Sequence, residues 1–298
     1  MTAPRRIPPA LPADVPALRI FADDEAGSPA SEFVTWDEGR LKVHAAFAPL
    51  LRRCGLTTFE DVYHLPLESV ARRVGERVTG RVVLADESGP QAFFLKRHGP
   101  PRWREYWKAW ARLTQPVLGA RAEWQAMLWF QELGIPAPLP VILGESEGRS
   151  LTFATAIEPH TRLDHWWEDP AADAAWRDPL VRRHWLNKLA AVVRHLHASG
   201  LHHQDFYLCH LLLTPARPSE LTVIDLGRVQ RQPRLARRWR VKDLAQLHFS
   251  SPQATLTERL RFLRAYLGRR LIRADRTWIR QIHGKAARIA RHTNRHGL

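Results

Sequence analysis

The stretch from Leu201 to Arg228, LHHQDFYLCHLLLTPARPSELTVIDLGR, limits what this chain can fold into more than any other. It sets Asp205 after a His-Gln pair, His210 five residues later, and Asp225 twenty residues on, directly before Leu-Gly. Leu211 to Leu213 and Leu221 to Ile224 read as two short apolar strands, joined by a Pro-containing turn over Thr214 to Ser219. A hairpin of that kind carries both carboxylates to one end of a small sheet. Two carboxylates so held suit phosphoryl transfer: one orients the attacking hydroxyl and takes its proton, and the other holds Mg²⁺ against the β- and γ-phosphates.

The 298 residues, 45% of them hydrophobic, suffice for one large or two ordinary domains with a real core. Cys54 and Cys209 are the only cysteines and have neither disulfide-framework nor metal-ligand spacing, which implies a reducing compartment. Cys209 reads as a small packed side chain rather than a nucleophile. No run approaches the ~20 apolar residues of a membrane span, and the amino terminus lacks an apolar signal core. The expected location is therefore the cytoplasm, with a membrane surface as the exception raised by charge.

The formal net charge is +15, and it is local. From Arg228 to Leu298 there are 19 Lys and Arg against Asp243, Glu258 and Asp275, whereas the remainder carries 26 basic and 27 acidic residues. Basic surface of this density attracts polyanions: nucleic acid, anionic lipid, or an acceptor bearing phosphate and acid sugars. The aromatic residues concentrate away from the basic segment and no nucleic-acid-binding motif is present, so nucleic acid is not expected.

In chain order, six prolines within residues 1–30 imply a disordered leader. Phe47, Leu50 and Leu51 predict a short helix closed near Gly55, and Thr57 or Thr58 caps a second one starting at Phe59. SVARRV, ERVTGRVVL and QAFFLKR predict three strands, with turns near Gly75 and over Asp86 to Pro90 and with Lys96 ending the third. RWREYWKAWARL over 102–113 predicts an aromatic helix, either a packing face or an interfacial helix at a membrane. A helix follows over Ala120 to Leu133, ended by Gly134, with Glu123 in its first turn. Two further strands are expected over 141–143 and 151–157, and a buried helix over 186–197. His195, His197 and His202 lack acidic or Cys partners at metal-ligand spacing and read as structural or solvated. Two basic helices close the chain, with Leu256, Leu260, Leu263, Leu267 and Leu271, then Trp278, Ile282, Ala286 and Ile289, at helical spacing.

The central loop resembles that of protein-kinase-like enzymes, H-R-D-x-x-x-x-N followed by D-F-G, with Gln204 in place of the Arg and His210 in place of the Asn. The strings HQDFYLCHLLL, VIDLGR, PVLGARAEW and RRWRVKDLAQLHFSS are similar to the bacterial lipopolysaccharide core heptose kinases, sugar kinases with a protein-kinase-like fold. The similarity covers roughly residues 40–251. It implies an α+β, bilobal protein-kinase-like fold, with a small N-terminal lobe of antiparallel sheet plus one or two helices and a larger, mainly helical C-terminal lobe. The corresponding segments are a leader over 1–30, a helical extension over 31–66, an N-lobe over 67–158 and a C-lobe over 159–298.

The same resemblance implies ATP-dependent phosphorylation of a heptose hydroxyl of the lipopolysaccharide inner core, with ATP and Mg²⁺ required. It makes Asp205 the base, Asp225 the Mg²⁺ ligand, Lys96 the cation that bridges the α- and β-phosphates, and Glu123 the residue that orients Lys96. Glu158, Pro159 and His160 would form the hinge whose backbone meets adenine. His210 falls at a catalytic and metal-binding position, either as a ligand or as a hydrogen-bond donor to phosphate or loop backbone, although imidazole is a poor substitute for a hard oxygen at Mg²⁺. No G-x-G-x-x-G precedes Lys96; Gly75 and Gly80, with Arg73 or Arg77, are what is available for phosphate. The A-P-E motif is absent and Gln204 replaces the loop Arg, so switching by phosphorylation is not expected. The expected partners are the inner-core acceptor, an anionic membrane at the inner face of the inner membrane, and an acidic protein. Two other readings stay open: a kinase of a Kdo sugar, small molecule or protein, and a polyanion-binding scaffold that has lost turnover.

Overall fold

The computed structural model describes residues 32–87, 89–100, 119–168, 178–214 and 217–296. The leader expected over 1–30 and the aromatic helix expected over 102–113 lie outside the described residues. The chain divides in sequence between Glu158 and Pro159 into two compact units.

The first unit contains β1 (Phe33–Trp36), β2 (Leu41–His44), α1 (Ala48–Arg53), α2 (Phe59–Tyr63), β3 (Ser69–Val74), β4 (Arg77–Asp86), β5 (Gly89–His98), α3 (Arg121–Glu132), β6 (Pro140–Ser146) and β7 (Arg149–Thr155). Its strands form one antiparallel sheet in the order β1-β2-β6-β7-β5-β4-β3. Alternation decides the faces. Phe93 and Leu95 of β5 are fully buried in a cluster with Leu41, Val43, Ile142 and Phe153, and α1 and α2 close that cluster with Leu50, Leu51, Phe59 and Val62. Each such side chain contributes about 1.5–3 kcal/mol by leaving water. The same period of two turns Lys96 to the opposite face, with Thr152 of β7 as its cross-strand partner.

Thr58 caps α2 as its spacing predicts: the Asp61 N–H donates to the Thr58 hydroxyl at 3.3 Å, and the Asp61 carboxylate accepts from the Thr58 N–H at 2.8 Å. β1 and β2, by contrast, have no signature in the sequence pattern. At four residues each they are too short for periodicity to distinguish from loop.

The second unit contains β8 (Thr161–Arg162), α4 (Leu163–Glu168), α5 (Pro179–Ala198), β9 (Leu201–His202), β10 (Leu211–Thr214), β11 (Arg217–Val223), β12 (Gln230–Arg231), α6 (Arg237–Phe249), α7 (Leu256–Leu267) and α8 (Arg276–His296). The expected hairpin is β10 and β11, extended by β8 into a three-stranded sheet, while β9 pairs with β12. α5 begins earlier than predicted because Pro179 occupies its first turn and the Asp178 carboxylate accepts from the Leu180 N–H at 2.8 Å. α5 packs on α7, and α6 packs on α8. α7 ends at Leu267, where Gly268 takes a φ of 68°, so Leu271 lies beyond the helix. Leu256 is exposed, and the buried members of this helix include Leu263 and Tyr266.

Gly200 carries the chain from α5 into the central loop with a φ of 79°. Its carbonyl accepts from the Gln232 N–H at 2.8 Å, and a Cβ at this position would overlap the Gln232 carbonyl oxygen. Gly200→Ala is therefore expected to cost about 2–4 kcal/mol, from left-handed strain and the backbone overlap together. Denaturant unfolding measures this; an unchanged midpoint would show that the turn is free to relax.

Candidate active site

In the first unit, β5 and α3 bring together the two residues singled out there. Lys96 Nζ donates to Glu123 Oε1 at 2.5 Å, with the Lys96 side chain 17% and the Glu123 side chain 9% exposed. Glu123 lies in the first turn of α3, where the helix dipole favours a carboxylate. Its second oxygen, Oε2, is buried and has no hydrogen-bond partner among the described residues. The β3–β4 turn contains Gly75 in a left-handed conformation with open space around its Cα, as a turn that approaches a ligand requires. Gly80 serves packing instead, since a Cβ there would meet Leu67 Cδ1 at 2.6 Å. At the end of this unit the Glu158 carboxylate accepts from Arg81 Nε at 2.8 Å.

In the second unit, the loop between β9 and β10 and the chain after β11 bring Asp205, His210 and Asp225 together. His210 is the link. Its Nδ1 lies 2.7 Å from the Asp205 carbonyl oxygen and its Nε2 3.8 Å from Asp225 Oδ2, while its own carbonyl accepts from the Ile224 N–H at 3.0 Å. Burial opposes a charged imidazole here, but contacts with Cys209, the Asp205 carbonyl and the Asp225 carboxylate outweigh it and push the pKa up to about 9. With Nδ1 donating to the Asp205 carbonyl, Nε2 is the nitrogen that faces Asp225. Arg228 NH1 reaches the Asp205 carboxylate at 3.3 Å.

Among the described residues of the second unit, two sit in left-handed backbone without being glycine: Gln204 at φ 67° and Asp225 at φ 58°. Such strain persists only where the surroundings over-determine it. For Gln204 the surroundings are on α6. The buried Asp243 carboxylate accepts from the His203 N–H at 2.7 Å and the Gln204 N–H at 2.8 Å, and lies 3.2 Å from His197 Nε2, whose Nδ1 is 2.9 Å from the Tyr266 hydroxyl. Gln246 accepts from the Phe206 N–H at 3.0 Å and donates to the Gln204 carbonyl at 2.7 Å. The Leu208 N–H donates to the Ser250 hydroxyl at 3.0 Å.

His203 is buried, and burial lowers its pKa, so it is neutral. It accepts from the Asp205 N–H through Nδ1 at 3.3 Å and donates through Nε2 to the Ile224 carbonyl at 3.1 Å. Burial alone would raise the Asp243 pKa; hydrogen bonding and attraction from His197, with the His203 imidazole and N–H, hold it below the usual carboxylate range. Sequence reasoning misses Asp243, Gln246 and Ser250, for which the only signal is the string RRWRVKDLAQLHFSS as a whole. The histidines read as structural take definite places: His197 in this network, and His202 stacked on Trp239 at 4.6 Å. Among the described residues there is no group of three or more His, Cys, Asp or Glu side chains able to hold a metal ion, so a cation here rests on few protein ligands.

An antiparallel sheet with a Lys–Glu pair, joined in one chain to a helical unit carrying a carboxylate loop, is the α+β architecture of the protein-kinase-like phosphotransferases. Comparison with known proteins narrows the class. The chain belongs to the lipopolysaccharide kinase (Kdo/WaaP) family, whose model matches residues 64–266. It is 36% identical over 275 residues to the lipopolysaccharide core heptose(I) kinase WaaP of Escherichia coli, covering 87% of this chain and all of that protein. The WaaP of Pseudomonas aeruginosa is 32% identical over 250 residues, which cover 78% of this chain and 91% of that one. A solved structure of WaaP in complex with acyl carrier protein superposes with a TM-score of 0.65 at 29% identity, over 84% of this chain and 98% of that chain.

The depressed pKa of Asp243 sets the sign of a pH effect. Its contribution to stability is present above the unfolded carboxylate pKa of about 4 and is lost as pH falls through the lower folded value. Asp243→Asn is expected to destabilise the fold by about 3 kcal/mol at pH 7, because it removes one partner of a buried charge network. The gap from wild type should close below about pH 4. Denaturant titrations of both proteins at several pH values measure this, and a gap independent of pH would contradict it.

Proposed function

We propose that this chain is an ATP-dependent sugar kinase that transfers the γ-phosphoryl group to a heptose hydroxyl of the lipopolysaccharide inner core. The observation that carries the reading is the mutual placement of Asp205, His210 and Asp225 on a loop fixed by α6, in a chain whose curated relatives are heptose(I) kinases. The Asp205 carboxylate accepts the proton of the attacking hydroxyl as its oxygen bonds to the γ-phosphorus and the bond to the ADP oxygen breaks. Arg228 lies beside that carboxylate, 3.3 Å from Asp205 Oδ2, and helps to orient it.

The donor set suits Mg²⁺: it takes one or two carboxylates and completes its shell with substrate phosphates and water, so Asp225 with nucleotide suffices. When bound, Mg²⁺ neutralises charge on the β- and γ-phosphates. His210 enters as a charged donor that fixes Asp205 and faces Asp225, rather than as a cation ligand. Lys96, aimed by Glu123, holds the α- and β-phosphates, and the backbone at Glu158 to His160 meets adenine. The Lys96–Glu123 pair supports turnover over a scaffold role, because it is the strand-lysine and helix-glutamate arrangement that phosphate binding in a kinase-like site uses.

The basic helices of the second unit suit an acidic protein partner, and the related WaaP structure contains one, acyl carrier protein. No described helix is long and apolar enough to cross a membrane. We place the protein at the inner face of the inner membrane, held peripherally by basic side chains against anionic lipid. No nucleic-acid partner is proposed.

Asp205→Asn is expected to lower kcat by about 10³-fold on purified, heptose-dephosphorylated core oligosaccharide with Mg²⁺-ATP, leaving the melting temperature unchanged. Near-wild-type turnover would sink the role of Asp205. Mass spectrometry of core oligosaccharide from a strain lacking the protein should show loss of phosphate on heptose; unchanged phosphate would refute the acceptor.

A further inference from the structure

We infer that the groove between α6 and α8 is an oxyanion subsite for the acceptor saccharide, taking a carboxylate or phosphate of the sugar beside the hydroxyl that is phosphorylated. The inference rests on the kinase reading above and assigns part of its specificity to named residues. The groove encloses about 440 Å³ and is lined by Arg237, Arg238, Trp239 and Lys242 of α6 and by Lys285 and Arg288 of α8. That volume suits a sugar-sized group. Among the described residues lining it, none is acidic. Two arginines of the same unit do face carboxylates: Arg182 pairs with Glu258 at 2.6 Å and Arg269 with Asp275 at 2.8 Å. Five cations around one concavity repel one another, and an anion from outside relieves that repulsion. Arg237 and Arg238 also open α6, whose N-terminal N–H groups add positive potential on the same side.

The groove is coupled to the carboxylate loop. Lys242 Nζ donates to Gln204 Oε1 at 3.3 Å, and Gln204 Nε2 donates to the Arg228 carbonyl at 3.0 Å. Burial lowers the Lys242 pKa; attraction to Asp243 and Asp205 opposes this, and repulsion from Arg228 and Lys285 adds to it. Lys242 thus feels both Asp205 and the α8 wall of the groove. Trp239 stacks on the His202 ring and has the Arg238 guanidinium 5.1 Å from its centroid, which supplies an apolar wall beside the cations. A concave site so close to the loop suits one substituent of a bound saccharide better than a flat lipid surface, which basic side chains at any exposed position of α8 would serve equally.

The test compares wild type, the double variant Lys285→Ala/Arg288→Ala and the single variant Arg288→Glu, all as the full chain. Each is assayed with heptose-dephosphorylated core oligosaccharide, and with the same material after carboxyl reduction and removal of its remaining phosphates. Both variants should raise KM for the charged acceptor by about tenfold, the worth of one or two charge-assisted hydrogen bonds, with kcat and KM for ATP within about twofold of wild type. On the neutralised acceptor, wild type and variants should have the same KM. Equal losses on both acceptors, or no loss on either, would overturn the subsite. So would variants that only lose association with phosphatidylglycerol vesicles. Absence of wild-type transfer to either acceptor would overturn the kinase reading and this subsite with it.

Discussion

The carboxylate of Asp243 is the interaction on which the second unit depends. Burying it costs several kcal/mol unless its oxygens are fully engaged, and here they accept from two successive backbone N–H groups and face an imidazole. That engagement satisfies a loop which no sheet ladder reaches at those positions, and it holds Gln204 in a left-handed conformation that a free chain avoids. The rest of α6 follows from the same constraint. Asp243, Gln246 and Ser250 recur at spacings of three and four, so one helical face meets the loop at four backbone donors. Because Asp205 is placed by its neighbours' backbone bonds, its own carboxylate keeps its lone pairs for Arg228 and for substrate.

Much of this is legible in the sequence, and the pattern of success is physical. β3, β4 and β5 are runs of β-branched and aromatic residues between turn residues, α2 has a Thr–Asp capping box, and β10 and β11 are two apolar runs separated by prolines in the sequence. All are local signals. The pairing of Lys96 with Glu123 is accessible only through resemblance, since a strand lysine and a helix-start glutamate each have ordinary reasons to exist. α6 escapes pattern reading because the face it buries is partly polar. Asp243 and Gln246 point inward where periodicity looks for leucine, and the groups they serve lie about 40 residues earlier, beyond any window of pattern reading. β1 and β2 escape it for a simpler reason, their length.

His210 shows why a motif position does not fix a role. The spacing puts it where kinase-like loops carry an Asn, and there it could be read as a cation ligand. The geometry gives one nitrogen a definite occupation, as donor to the Asp205 carbonyl, while the other faces Asp225 at 3.8 Å. A ring that bonds to one carboxylate-bearing residue and faces the other ties Asp205 and Asp225 together across the sheet end.

The same electrostatics bear on the distribution of charge along the chain. In the proposed reaction Asp205 and Asp225 act as carboxylates, and an acceptor bearing carboxylate or phosphate would be repelled by them over a screening length of about 8 Å. Cations are therefore needed within that distance of the two carboxylates, and cations far from them do little. The chain up to Arg228 is close to neutral, and the excess of lysine and arginine falls on the helices that follow Asp225. Lys242 and Arg228 meet the loop directly, while Lys285 and Arg288 stand across the groove from Lys242. Had the charge served solubility alone, spreading it over both units would have avoided the self-repulsion that five cations in one groove impose. On the kinase reading proposed above, its concentration on these helices serves to hold an anionic acceptor next to anionic carboxylates.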